Sequence, residues 1–199
     1  MELIIISNPI PVANEPMLIN NLFMAGLKCF HLRKPESDIQ SIKDLLNGIA
    51  SRFYDRIALH QYHEIASEYG IKRLHYTEKA REVLSVEKWQ NYLDEGFMLS
   101  TSVHDLSILP YLGHFDYVFY GPVFNSISKP GHQSKLTGDF RLDKTNTKPQ
   151  VIALGGVEVS NLRHIKRMGF DGAAVLGTLW NQPDKAISRF NQLQENLPD

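Results

Sequence analysis

Short apolar runs alternate with stretches of helical period along the whole chain. The clearest instance lies at residues 149–180. Residues 151–154 form an apolar run ended by Gly155-Gly156, and residues 172–176 form a second ended by Gly177-Thr178. Between them Leu162, Ile165 and Met168 share one helical face, with Ser160 as the expected N-cap and Gly169 as the stop. Two strands joined by a helix of this length form a βαβ unit, whose strands run parallel.

The same grammar repeats upstream. Strands are expected at residues 3–6, 28–32, 57–59, 73–76, 97–102 and 116–121, ahead of the two just described. Helices are expected at 15–25, at 37–53 with Ser37 as its cap, before Gly70, at 79–93, at 105–112 and at 183–193. Strand and helix alternate at intervals of about 22 to 30 residues, which points to a parallel sheet. Eight such units favour closure into a single (β/α)₈ TIM barrel over residues 1–199. An open doubly wound sheet is the rival, but the first turn lacks the glycine fingerprint that such sheets carry at that place.

In a barrel the two glycine turns fall at the C-terminal ends of adjacent strands. Loops rich in backbone N–H groups at that end bind phosphate. Gly155, Gly156, Gly177 and Thr178 are therefore the expected phosphate seat, against the alternative that the glycines only make tight turns. Other polar residues gather at the same end. His31 and Arg33 share one face of the second strand, His60 ends the third, His75 lies in the fourth, and Ser102 and His104 close the fifth. No HxxxH pair and no cysteine accompanies these histidines, so no metal site is expected. A histidine acting as acid and base beside a phosphate ligand fits better, because imidazole titrates near neutral pH. The long polar segment at 122–138 suggests a lid.

Composition narrows the partners. The 199 residues are 43% hydrophobic with a formal net charge of −1, enough for one substantial core. Lysines and arginines are scattered, which leaves no footprint for nucleic acid. The single cysteine, Cys29, excludes a disulfide within the chain and suggests a reduced, cytoplasmic setting. The opening MELIIISNPIP has neither a basic leader nor the length of a membrane span, and reads as a strand.

Several motifs, in order, resemble those of thiamine phosphate synthases and the related thiazole tautomerases. HLRKP at 31–35 is similar to the family's QLREK and keeps Leu32 and Arg33. STSVH at 100–104 matches a GxSxH-like element through Ser100, Ser102 and His104. DYVFYGPVFNSISK, ending at Lys129, is close to the family's DYVGFGPVFPTxTK. Gly155-Gly156-Val157 and the run from Gly169 to Val175 match its GGI and GADGVAV elements. The resemblance implies a TIM barrel that binds a thiazole phosphate, and a homodimer. Place at the strand ends and the matched motifs together make His31, Arg33, His60, His75, Ser102 and Lys129 the expected substrate contacts.

The departures from the pattern bear on the reaction. A synthase joins a pyrimidine diphosphate to thiazole phosphate with Mg2+, which requires oxygen ligands. Where the family has an Asn-Asp pair this chain has His60-Gln61, and RLHYTEKA places Ala80 where a further aspartate belongs. Pro35 replaces the lysine of the REK element. The expected activity is therefore the cofactor-free tautomerase; the resemblance implies His104 as its catalytic acid and base, since it matches the histidine that such tautomerases use. The alternatives are a synthase using Mg2+ through other ligands and a non-catalytic binder of phosphate ligands.

Overall fold

In the computed structural model, which describes residues 1–125, 136 and 139–199, eight parallel strands close into a barrel. They are β1 (Glu2–Ile6), β2 (Cys29–Leu32), β3 (Ile57–Leu59), β4 (Arg73–Tyr76), β5 (Met98–Val103), β6 (Tyr117–Tyr120), β7 (Gln150–Leu154) and β8 (Gly172–Val175). Each strand pairs with the next, and β8 returns to β1 with Ile4 opposite Ala174. The expected (β/α)₈ architecture is the one found. Lys129 lies outside the described residues, as does the expected lid at 122–138 apart from residues 122–125 and 136.

The helices are α1 (Glu15–Met24), α2 (Ile39–Asn47), α3 (Ala66–Tyr69), α4 (Glu78–Glu82), α5 (Val86–Asp94), α6 (Leu162–Arg167), α7 (Gly177–Trp180) and α8 (Ala186–Glu195). Four local expectations are corrected. Asp38, not Ser37, caps α2, because its carboxylate accepts the Ser41 N–H at 2.8 Å. That helix stops at Gly48, where Pro16 packs 2.7 Å from the place a Cβ would occupy, and a 3₁₀ segment covers Ser51–Arg56. Ahead of α6 the chain is capped by Glu158 and Asn161 in a reciprocal box rather than by Ser160. The segment after β5 is a 3₁₀ turn, Leu106–Tyr111; Pro110 inside it lacks the N–H that a longer α-helix needs.

Alternation along the strands separates two apolar regions. Residues facing outward, such as Phe30, Leu32, Leu74, Leu99 and Val151, meet Ile19, Leu22, Ile42, Leu46 and Phe190 from the surrounding helices. A fully buried aliphatic side chain of this kind contributes about 2 kcal/mol. Inside the barrel Ile4, Ile6, Cys29, Tyr117, Phe119, Ile152 and Ala174 pack together. The inward positions of β2 to β5 break this apolar filling with His31, His75 and Ser100, all buried. Burial also pushes the Cys29 thiol up to about 11, so it stays protonated. Among the described residues no helix is long and apolar enough to cross a membrane.

One buried ion pair ties a strand end to the helical layer. Lys34 donates to both carboxylate oxygens of Glu15 at 2.6 and 2.7 Å and to the Ile10 carbonyl at 2.9 Å. Both charged side chains are almost fully enclosed. As strand alternation implied, Lys34 points away from the face shared by His31 and Arg33.

Candidate active site

Parallel strands bring four of the expected residues into one cluster. His31 pairs laterally with Ala58, and Ala58 with Arg73, so inward positions on β2, β3 and β4 become neighbours. His31 Nδ1 lies 2.8 Å from His60 Nε2, and His31 Nε2 lies 2.7 Å from the Tyr117 hydroxyl. The His60 and His75 rings stack with centroids 4.0 Å apart. His75 meets Ser100 Oγ through Nδ1 at 2.9 Å and Ser102 Oγ through Nε2 at 3.0 Å. Phe119 packs against both His31 and His75.

This setting fixes the protonation of all three rings. Burial is the main cause that lowers each pKa, reinforced by neighbouring histidines and by arginines. His75 is brought down to about 3, with His63 and Arg33 adding to the effect of burial. The cluster is therefore uncharged at neutral pH.

Arg33 is half-buried just past β2, and its guanidinium has no hydrogen bond or ion pair among the described residues. Its backbone N–H donates to Ser7 Oγ at 2.8 Å, and that hydroxyl returns a bond to the Arg33 carbonyl. Arg33 thus offers an uncommitted positive charge beside the histidines, in contrast to Lys34.

His104 stands apart from the cluster. It follows β5 on the rim with 68% of its side chain exposed, and its Nδ1 lies 3.0 Å from Glu78 Oε2. Glu78 in turn receives Arg81 at 3.4 Å, and Arg81 is anchored to Thr101 Oγ1 and the Ser102 carbonyl. His104 does not cap the following turn, because Asp105 accepts the Ser107 N–H at 2.9 Å and does so instead.

Across the mouth, the glycine loops after β7 and β8 are joined by Thr178 Oγ1, which donates to the Val157 carbonyl at 2.6 Å. The N–H groups of Val157, Gly177 and Thr178 have no acceptor among the described residues. Gly155 and Gly156 adopt left-handed φ values of +93° and +64°. A Cβ on Gly156 would lie 2.7 Å from Phe124 Cβ. Phe124 N–H donates to the Gly155 carbonyl. These glycines therefore meet a turn requirement as well as leaving N–H groups bare.

Residues beyond the expected set also belong to the site. Tyr117 and Ser100 share the inward parity of Phe119 and Ser102, and reading period two through β5 and β6 identifies them. No sequence pattern marks the Glu78–Arg81 pair as the partner of His104. At the magnesium positions suggested by the family motifs, Gln61 is committed to the backbone. Its Oε1 accepts Lys34 N–H at 3.1 Å and its Nε2 donates to Lys34 O at 2.5 Å. Ala80 supplies no ligand atom, and Glu78 is held by Arg81 and His104. This donor set does not suit Mg2+.

Comparison with known proteins gives a consistent set of relatives. A family model described as thiamine monophosphate synthase matches residues 3–179. A thiamine-phosphate synthase of Yersinia pestis (strain Pestoides F) is 24% identical over 177 residues, spanning 85% of this chain and 80% of that protein. A thiamine phosphate pyrophosphorylase from Bacteroides thetaiotaomicron superposes with a TM-score of 0.78 and 27% identity, covering 98% and 97% of the two chains. The Pyrococcus furiosus pyrophosphorylase gives a TM-score of 0.76 at 18% identity, covering 98% and 94%.

Proposed function

This chain belongs to the thiamine monophosphate synthase family, and on that premise we propose that it binds a thiazole phosphate in the barrel mouth and shifts a proton on it. The observation carrying this reading is the donor set at the magnesium positions: a backbone-clamped amide at Gln61 and a methyl group at Ala80. Coupling to a diphosphate calls for carboxylate-held Mg2+. A proton shift does not.

In this reading the phosphate rests on the bare N–H groups of Val157, Gly177 and Thr178. The thiazole ring then extends toward the polar quarter of the barrel, where Arg33 faces its carboxylate and His75 with Ser102 offers neutral hydrogen bonds. Glu78 holds His104 by Nδ1, so Nε2 is the nitrogen that exchanges the proton. One C–H proton leaves the ring carbon and one proton arrives at the exocyclic carbon. The double bond moves into the ring, and the atoms balance without a co-reactant.

The anion seat has its own test. Gly156→Val places side-chain atoms against Phe124 at a left-handed φ, and should cost about 1–3 kcal/mol of stability. Calorimetric affinity for a thiazole phosphate should fall as well. Wild-type affinity in this variant would remove the loop from the site.

A second reading is favoured by the names of the relatives, which are synthases and pyrophosphorylases. Under it the chain couples a pyrimidine diphosphate to thiazole phosphate. Assay of the purified protein separates the two. The thiazole tautomer should isomerise in excess EDTA at the same rate as in Mg2+, and the coupling pair should give little thiamine phosphate. Efficient Mg2+-dependent coupling with no isomerisation would establish the second reading.

A further inference from the structure

We propose that His31, His60 and His75 form a three-histidine site for a divalent transition metal ion of the Zn2+ class, inside the barrel mouth. One ring nitrogen from each residue lies within 4.8 Å of the others. The absence of a helical HxxxH pair argued against a metal, but three adjacent strands supply the proximity that one helix would have given. The residues sit on β2, just past β3, and on β4, and all point inward. A tetrahedral ion with bonds of about 2.0–2.1 Å needs ligand nitrogens about 3.3 Å apart. The 2.8 Å contact between His31 and His60 would open by about half an ångström, and the His75 nitrogen would move inward. His60 is the half-buried member at the end of its strand, so its ring has the room for that adjustment.

The surroundings hold the outer nitrogens as a metal site requires. With His31 Nε2–H donated to the Tyr117 hydroxyl, its Nδ1 lone pair faces the centre of the cluster. With His75 Nδ1–H donated to Ser100, Nε2 faces the centre on the Ser102 side. Ligand type narrows the ion further. Three imidazoles without a carboxylate disfavour Mg2+ and Ca2+, which take oxygen ligands, and favour Zn2+, Co2+, Ni2+ or Cu2+. Cys29 is not a ligand; its sulfur stands 3.8 Å from the Tyr117 hydroxyl, behind His31. Three protein ligands leave a fourth position open, facing the mouth beside His60, for water or an oxygen of a bound ligand.

The test uses the full-length protein freed of metal with EDTA and titrated with ZnCl2 by calorimetry, with no substrate present. One equivalent should bind, and Co2+ should produce the intense visible absorption of a low-coordinate nitrogen site. His60→Ala should weaken Zn2+ binding by about 100-fold or more, and Tyr117→Phe by about 10-fold, with both variants melting as folded proteins. MgCl2 should not compete. Absence of stoichiometric Zn2+ binding by the wild type would overturn the proposal. So would equal affinity in folded His60→Ala, which would place the ion on a surface histidine. His75→Asn gives the same decision if His60→Ala fails to fold. Because no turnover is measured, neither result depends on which reaction the barrel catalyses.

Discussion

Glu15→Ala should destabilise the barrel by about 3–5 kcal/mol, although the residue lies outside the site. The variant leaves the Lys34 ammonium enclosed, with only the Ile10 carbonyl as acceptor among the described residues. Burial already lowers the Lys34 pKa, and the Glu15 carboxylate is what opposes that shift. A protein of this length loses roughly 2–4 °C in Tm per kcal/mol, so the midpoint should drop by roughly 6–20 °C. Replacing both partners, as Glu15→Leu with Lys34→Met, should restore much of the loss, because no charge is then left unpaired. A Tm within about 2 °C of wild type for Glu15→Ala would show that Lys34 finds another partner or sheds its proton without cost. The same pair has a functional consequence. Lys34 is committed to the scaffold, so it does not replace the lysine that Pro35 displaces from the family's REK element.

The other large effect concerns His104. For the proposed proton shift, His104→Asn should lower the isomerisation rate by about 10²–10⁴, the usual loss for an acid–base group, with thiazole phosphate affinity and Tm little changed. Asparagine keeps a polar side chain that can still meet Glu78, and the cap of the next turn is untouched because Asp105 supplies it. Glu78→Gln keeps a hydrogen bond to the imidazole but removes the charge, and should lower the rate less than loss of the ring. A normal rate in His104→Asn would transfer the proton step to the buried cluster. Those rings are poorly suited to carry a proton, since burial holds them uncharged.

The barrel was legible in the sequence because the two periods that define it are local. Alternation and helical spacing placed β3 and β4 at their observed limits and the other strands within a residue or two. The same parity put His31 and Arg33 on the mouth face and Lys34 behind it. Helix ends were less legible. Ser37 and Asp38 are both good caps, and only the position of the Ser41 N–H selects Asp38. Likewise the crowding that leaves no room for a Cβ at Gly48 comes from Pro16, which arrives from another helix.

The sequence by itself therefore determined which residues face inward and at which end of their strands they stand. It could not determine which of them touch. Contact between His31, His60 and His75 depends on the lateral register of β2, β3 and β4, and that register is set by ladder hydrogen bonds between segments far apart in the chain. The Glu15–Lys34 pair forms because α1 folds back across the end of β2, and His104 meets Glu78 because β4 and β5 end side by side. Side-chain direction follows from the local backbone, whereas neighbourhood follows from closure of the sheet, and only the tertiary structure decides the second.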